Sequence, residues 1–213
     1  MRLLLARHGR TASNVAVLLD TAPPGPELDD VGHAQAATLA QRVAGQRIGG
    51  VYTSDMVRAV QTGAPTVRGF GVPHIELPQL REVIAGEDEM LPDLRRYQGM
   101  LRSWAEGDRS VSIPGGESGE EFFARFEAGI RSIAEAGHEA ALVVSHGAAI
   151  RSWAGFVMPA VHAVFGGRGM PNTTVIVADG DPDSGWTLRG IDLPAVDPLD
   201  GFATGGGLLV SGR

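Results

Sequence analysis

Short apolar runs alternate with stretches of helical spacing along this chain, and that alternation restricts it to few architectures. Leu3-Leu4-Leu5-Ala6, Val51-Tyr52-Thr53, residues 73–77 and residues 140–144 each read as a short strand. Val31, Ala34, Ala37, Leu39, Ala40 and Val43 recur at near-helical intervals and predict a helix over 30–43. Ser54-Asp55 reads as an N-cap pair opening a helix to about Val67. Residues 11–19 start helical, 21–26 are a Pro- and Gly-rich loop, and 87–104 form a polar helical region holding Arg95, Arg96 and Tyr97. Ser118 with Glu121 matches a capping box, and Phe122, Phe126, Ile130 and Ile133 line one face of the helix that follows. A further helix is expected over 148–157, and a hairpin from 173–178 to 186–191. Strands alternating with helices specify an α/β domain.

Two of the strand-like runs end in the same dipeptide. His8-Gly9 follows Arg7 at the end of the first run, and His146-Gly147 follows Val143-Val144-Ser145. In open α/β sheets, ligands bind outside the carboxyl ends of the strands. Two histidines delivered there by separate strands can meet across one pocket. Arg7 beside His8 lowers the imidazole's proton affinity and keeps a lone pair available for attack. Arg58 falls in the first turn of a helix that opens at another strand end, where it adds to the helix dipole in holding an anion.

The bulk properties exclude several classes. The 213 residues suffice for one sizeable core, and 43% hydrophobic with 20% charged residues is globular composition. A net charge of −7 argues against nucleic acid as a partner. With no cysteine, disulfides, thiolate metal sites and cysteine nucleophiles are all ruled out. No apolar stretch has membrane-spanning length, and the run after Met1-Arg2 is too short for a signal-peptide core. The expectation is a soluble, cytoplasmic protein.

The blocks Arg7-His8-Gly9-x-Thr11-x-x-Asn14, Ser54-Asp55-x-x-Arg58-Ala59-x-Gln61-Thr62, Leu80-Arg81-Glu82, Pro114-Gly115-Gly116-Glu117-Ser118 and Val144-Ser145-His146-Gly147 occur in that order. In this the chain resembles the histidine phosphatase superfamily, the phosphoglycerate-mutase-like proteins of branch 1. The resemblance implies an α/β fold, a three-layer αβα sandwich around a mostly parallel sheet. It implies that His8 attacks phosphorus, that Arg7, Arg58 and His146 bind the phosphoryl oxygens with Asn14, and that Glu82 serves as general acid and base. Thr11 and Gly147 belong to the same phosphate-binding set. The expected activity is metal-independent hydrolysis of a small phosphorylated metabolite with no cofactor. A mutase and a protein-phosphohistidine phosphatase are the alternatives, and a homodimer is compatible with all three.

Departures from the family pattern carry information. Arg10 stands where the family often has Glu or Gln, and either touches a phosphate or points to water. Glu82-Val83-Ile84-Ala85-Gly86 replaces the Glu-Arg-His-Tyr-Gly stretch of the cofactor-dependent mutases, which argues for hydrolysis. Residues 1–193 are expected to form one domain with a small helical cap around 86–117, its Arg95, Arg96 and Tyr97 contributing to substrate choice, and 194–213 a Gly- and Pro-rich tail. The acidic stretch from Asp179 to Gly185 is read as a polar turn, because Ser184 and Gly190 stand where a calcium loop needs Gly and Glu. Trp104, Trp153, Phe122 and Phe126 are read as packing residues, and His162 as a surface residue.

Overall fold

A computed structural model describes residues 1–165 and 169–194; the expected tail beyond Pro194 and most of the Gly166-Gly167-Arg168-Gly169 stretch lie outside them. The strands are β1 (Arg2–Arg7), β2 (Ile48–Thr53), β3 (His74–Glu76), β4 (Ala140–Ser145), β5 (Val175–Asp181) and β6 (Gly185–Asp192). They form one sheet in the order β3-β2-β4-β1-β5-β6. The pairings from β3 through β1 are parallel, and those of β5 with β1 and β6 are antiparallel. The helices are α1 (Ala12–Val15), α2 (Asp30–Arg42), α3 (Val57–Phe70), α4 (Arg95–Ala105), α5 (Gly119–Glu135), α6 (Gly147–Val157) and α7 (Pro159–Phe165).

The uninterrupted apolar runs follow from burial on both faces of the sheet. Successive side chains of β1 point to opposite sides. Leu3 and Leu5 join the cluster with Phe122, Phe126, Ile150 and Trp153 of α5 and α6. Leu4 and Ala6 join Leu39 and Ala59 of α2 and α3. A layer of helices on each face is thereby fixed by residue parity along the central strands.

Local signals and observed boundaries differ in instructive places. The capping box of α5 forms as read: Glu121 N donates to Ser118 Oγ at 3.3 Å, and Ser118 N to Glu121 Oε2 at 2.8 Å. Ser54-Asp55 does not cap α3, which starts at Val57 with Met56 at the N-cap. The Asp55 carboxylate is drawn away by Arg81, whose Nε donates to it at 2.7 Å. At its other end α3 continues past Val67 to Phe70 and stops at Gly71, whose φ of 65° suits a residue without Cβ. The polar region over 87–104 is not one helix. A 3-10 turn (Gly86–Asp88) precedes α4, and Pro92 between them keeps Leu91 out of helical geometry. The acidic turn between β5 and β6 is closed by Asp181, whose carboxylate accepts from Asp183 N at 2.9 Å and Ser184 N at 2.8 Å.

Candidate active site

Sheet register brings the two histidines together. β1 and β4 are adjacent and parallel, with Arg7 opposite Ser145. One residue on, His8 and His146 leave the same sheet edge side by side, their ring centroids 5.1 Å apart. His8 N still donates to Ser145 O at 2.9 Å, so the ladder holds the nucleophile candidate to the last residue. Gly9 must lack a side chain, because a Cβ there would lie 2.7 Å from Gly32 O. Its N–H donates to Thr62 Oγ1 at 2.9 Å, which ties the loop after β1 to α3.

Hydrogen bonds determine the tautomers. His8 Nδ1 lies 2.7 Å from Gly9 O, and since a carbonyl only accepts, Nδ1 carries the hydrogen and Nε2 the lone pair. Arg58 Nε donates to that Nε2 at 3.2 Å and to His146 Nδ1 at 3.3 Å. His146 therefore carries its hydrogen on Nε2, which is buried and has no hydrogen-bond acceptor among the described residues; Arg58 Nη1 likewise makes no hydrogen bond there and has only an ion-pair contact with Asp20. Burial, then Arg58 and Arg7, hold the His8 pKa well below its ordinary value, against a smaller upward pull from the Gly9 carbonyl. Burial and Arg58, followed by His8 and the arginines Arg7 and Arg125, do the same for His146. Both rings are thus neutral, and one offers a lone pair where the other offers a proton.

The cations are anchored from behind. Arg7 Nη1 donates to Met170 O. Gly147 brings the start of α6 against Arg7, since a Cβ there would sit 3.2 Å from Arg7 Nε. Arg58 Nη2 donates to Asp20 O at 2.8 Å, with the Asp20 carboxylate 3.6 Å from Nη1. Burial lowers the Arg58 pKa, and Glu82, Asp20 and Glu89 oppose that loss. Thr11 caps α1, accepting from Asn14 N at 3.3 Å. Asn14 Oδ1 accepts from Asn172 Nδ2 at 3.1 Å, leaving the Asn14 amide nitrogen as its donor group. Thr11 and Asn14 both border the cleft that holds His8.

Glu82 reaches the same cleft from the loop after β3. Its Oε1 accepts from Ala149 N at 2.7 Å and its Oε2 from Ala148 N at 3.1 Å. The first turn of α6, with its unpaired N–H groups, is therefore what positions the carboxylate.

Three sequence expectations change here. Arg10 neither borders the cleft nor points to water; its Nε donates to Asp29 Oδ2 at 2.8 Å, at the start of α2. Arg95 and Arg96 do not enter the cleft either. Arg95 Nε pairs with Asp93 Oδ1 at 2.9 Å and Arg96 Nε with Asp88 Oδ1 at 2.7 Å, while Tyr97 of the same turn is buried and borders the cleft. Trp104 is buried, as read, but also borders the cleft, as does the exposed His162. Asp20, Asn172 and Arg125 escaped sequence reading, because a lone polar residue outside a motif carries no local mark of its tertiary partner. Among the described residues, no group of three or more His, Asp or Glu is placed to hold a metal ion, and no helix is long and apolar enough to cross a membrane.

Residues 3–192 match the family model of the histidine phosphatase superfamily, branch 1. The chain belongs to that superfamily. As a histidine phosphatase it is 31% identical over 213 residues to the PE-PGRS family protein PE_PGRS11 of Mycobacterium tuberculosis. That alignment takes 90% of this chain but 36% of the relative, so the chain spans about a third of that protein's length. It is 33% identical over 158 residues to a protein named probable phosphoglycerate mutase GpmB of Yersinia pestis, covering 70% of this chain and 71% of the relative. Among solved structures, the α-ribazole phosphatase of Shigella flexneri superposes with a TM-score of 0.69 at 27% identity, covering 89% and 95% of the two chains. A mycobacterial glucosyl-3-phosphoglycerate phosphatase shares the fold, with a TM-score of 0.71 at 23% identity and coverage of 88% and 96%.

Proposed function

We propose that this histidine phosphatase is a metal-independent phosphomonoesterase that works through a phosphohistidine on His8. The observation that carries the reading is the His8 tautomer. With Nδ1 donating to Gly9 O, the lone pair of Nε2 lies between the cation of Arg58 and the second histidine. In the reaction, Nε2 forms a bond to phosphorus as the bond to the ester oxygen breaks. Arg7, Arg58 and His146 Nε2–H hold the three remaining phosphoryl oxygens, and Asn14 assists. Phosphoryl transfer needs mainly positioning and charge stabilisation, which fixed donors supply. Glu82 gives a proton to the departing oxygen. It then takes one from the water that attacks phosphorus and breaks the P–N bond, releasing inorganic phosphate.

The test is rapid quenching with labelled substrate, which traps an alkali-stable, acid-labile phosphoenzyme in the native protein and none in His8→Ala. Full turnover by His8→Ala overturns the reading. The likeness to a protein named as a probable phosphoglycerate mutase supports a second reading, phosphoryl transfer between hydroxyls. A requirement for a bisphosphate primer, with phosphate retained on the product, would decide for it. The pairing of Arg95 and Arg96 with aspartates favours hydrolysis, because it leaves that basic pair outside the cleft.

A further inference from the structure

The catalytic cleft measures about 990 Å³, the upper end of what small-molecule sites occupy and far more than a phosphoryl group fills. Its long walls are α4 and α6. On α6, Gly147, Ala148, Arg151, Ser152, Gly155 and Phe156 all border the cleft, a stripe at helical spacing. The helix starts at the Glu82 carboxylate, and Phe156 lies about 12 Å further along its axis. On α4, Tyr97 is near the catalytic end, where its hydroxyl donates to Val83 O at 2.8 Å. Leu101 and Trp104 follow one and two turns later.

The character of the cleft changes along this length. Near the catalytic end the walls carry Tyr97, Gln98, Arg151 and Ser152. At the far end they carry Leu101, Trp104, Phe123 and Phe156, with Arg102, Glu106, Arg109 and His162 also bordering the cleft. Phe156 is 56% exposed, the state in which a phenyl ring ordinarily swings freely. Here it is held. The Arg109 guanidinium carbon lies 3.9 Å from the centroid of Phe156 and 4.2 Å from that of Phe123, and the two rings meet edge to face at 5.3 Å. An ester whose phosphorus sits at His8 projects its alcohol portion into this same cleft, so the apolar patch at its far end faces the substrate's own body.

We infer that the substrate is a phosphate monoester whose alcohol carries an apolar alkyl or aromatic group about two helical turns from phosphorus, seated on Leu101, Trp104, Phe123 and Phe156. The inference rests on the phosphomonoesterase reading for the seat of the phosphate.

Ethyl, butyl, hexyl and octyl phosphate test it with leaving groups of nearly constant basicity. Once the chain passes the polar inner section, kcat/KM is expected to rise about fourfold per methylene, leaving octyl phosphate at least tenfold above both ethyl phosphate and glucose 6-phosphate. Phe156→Ser, at an exposed position, should reduce the octyl-to-ethyl ratio several-fold. Calorimetric affinities of the non-hydrolysable n-alkylphosphonates should tighten in the same order, independently of turnover. A flat affinity series, or an equal length dependence in Phe156→Ser, overturns the inference whether or not esters are hydrolysed. Affinity that rises with length while no ester is turned over upholds the apolar seat and overturns the phosphatase reading.

Discussion

Arg125 and Glu117 form a two-point ion pair, 2.6 and 2.7 Å, beneath the loop that carries Glu82. The same guanidinium donates to Gln79 O, Arg81 O and Glu82 O at 2.8, 3.0 and 2.9 Å, and Glu117 Oε1 accepts from Ile84 N at 3.0 Å. One buried carboxylate thus holds one cation, the cation holds the backbone up to the candidate acid, and the carboxylate itself holds the backbone just after it. Arg125→Gln is expected to cost about 3 kcal/mol in urea unfolding, because Glu117 is left buried without its partner. In protein still folded, turnover of alkyl phosphates should fall at least tenfold and that of nitrophenyl phosphate much less. An unchanged ratio between the two substrates would assign Arg125 to stability alone.

Glu82→Gln makes the corresponding direct test. A proton donor matters most when the leaving group is basic. In single-turnover measurements of phosphoenzyme formation, the substitution should slow an alkyl phosphate far more than a nitrophenyl phosphate. Equal slowing of both makes Glu82 a binding residue and moves attention to Glu87 or Asp88.

The paired histidines set a pH dependence whose sign follows from burial. Folding lowers the pKa of both His8 and His146 below the ordinary 6.5, so below that pH the unfolded chain binds more protons than the folded one. Their contribution to stability is present above 6.5 and is lost as pH falls. The loss approaches about 1.4 kcal/mol per pH unit for each ring until the folded value is reached. Urea unfolding at pH 7, 6 and 5 should show this slope, and His146→Asn should shrink it. For the same reason protonation of His8 should reduce kcat/KM only once pH falls below its lowered folded value, so the acid limb should lie below the ordinary histidine range.

Arg95 and Arg96 are each paired with a neighbouring aspartate outside the cleft. Replacing both by alanine should change KM for any ester less than twofold. A rise of tenfold or more on anionic substrates alone would return them to the substrate site.

On the proposed mechanism, with Arg7, Arg58 and His146 as the phosphoryl donors, chelator treatment should leave activity intact, while vanadate should inhibit by adopting the five-coordinate geometry of the transition state. Activity lost to chelator and restored by a divalent ion would contradict this.

Much of the site was legible because its residues sit in local motifs. Arg7 and His8 each have a reason within a few residues, namely a strand ending and an adjacent charge, whereas the close approach that requires Gly9 is made by Gly32 from α2. The capping box at Ser118 and the apolar face of α5 were equally local. Reading failed where a distant partner overrode a local preference. Ser54-Asp55 is a good cap by composition, yet Arg81 takes the Asp55 carboxylate. Arg10 reads as touching a phosphate or pointing to water, yet Asp29 holds it. The catalytic end of the cleft is legible in the motifs and the aromatic patch further along is not, because Leu101, Phe123 and Phe156 look like packing residues until the helices that carry them are placed.

By itself the sequence determined the alternation of strand and helix, the strand ends on which chemistry falls, and the family. These depend on periodicity and on residue types close together in the chain. Only the tertiary structure decided that β1 and β4 are neighbours in a register that pairs Arg7 with Ser145. From that follow the 5.1 Å meeting of the two rings, the tautomer of each, and the groove between α4 and α6 that leads away from them. The physical reason is that a lone pair, a buried proton and an apolar wall acquire their chemical meaning from what lies opposite, and what lies opposite is set by packing across the whole chain.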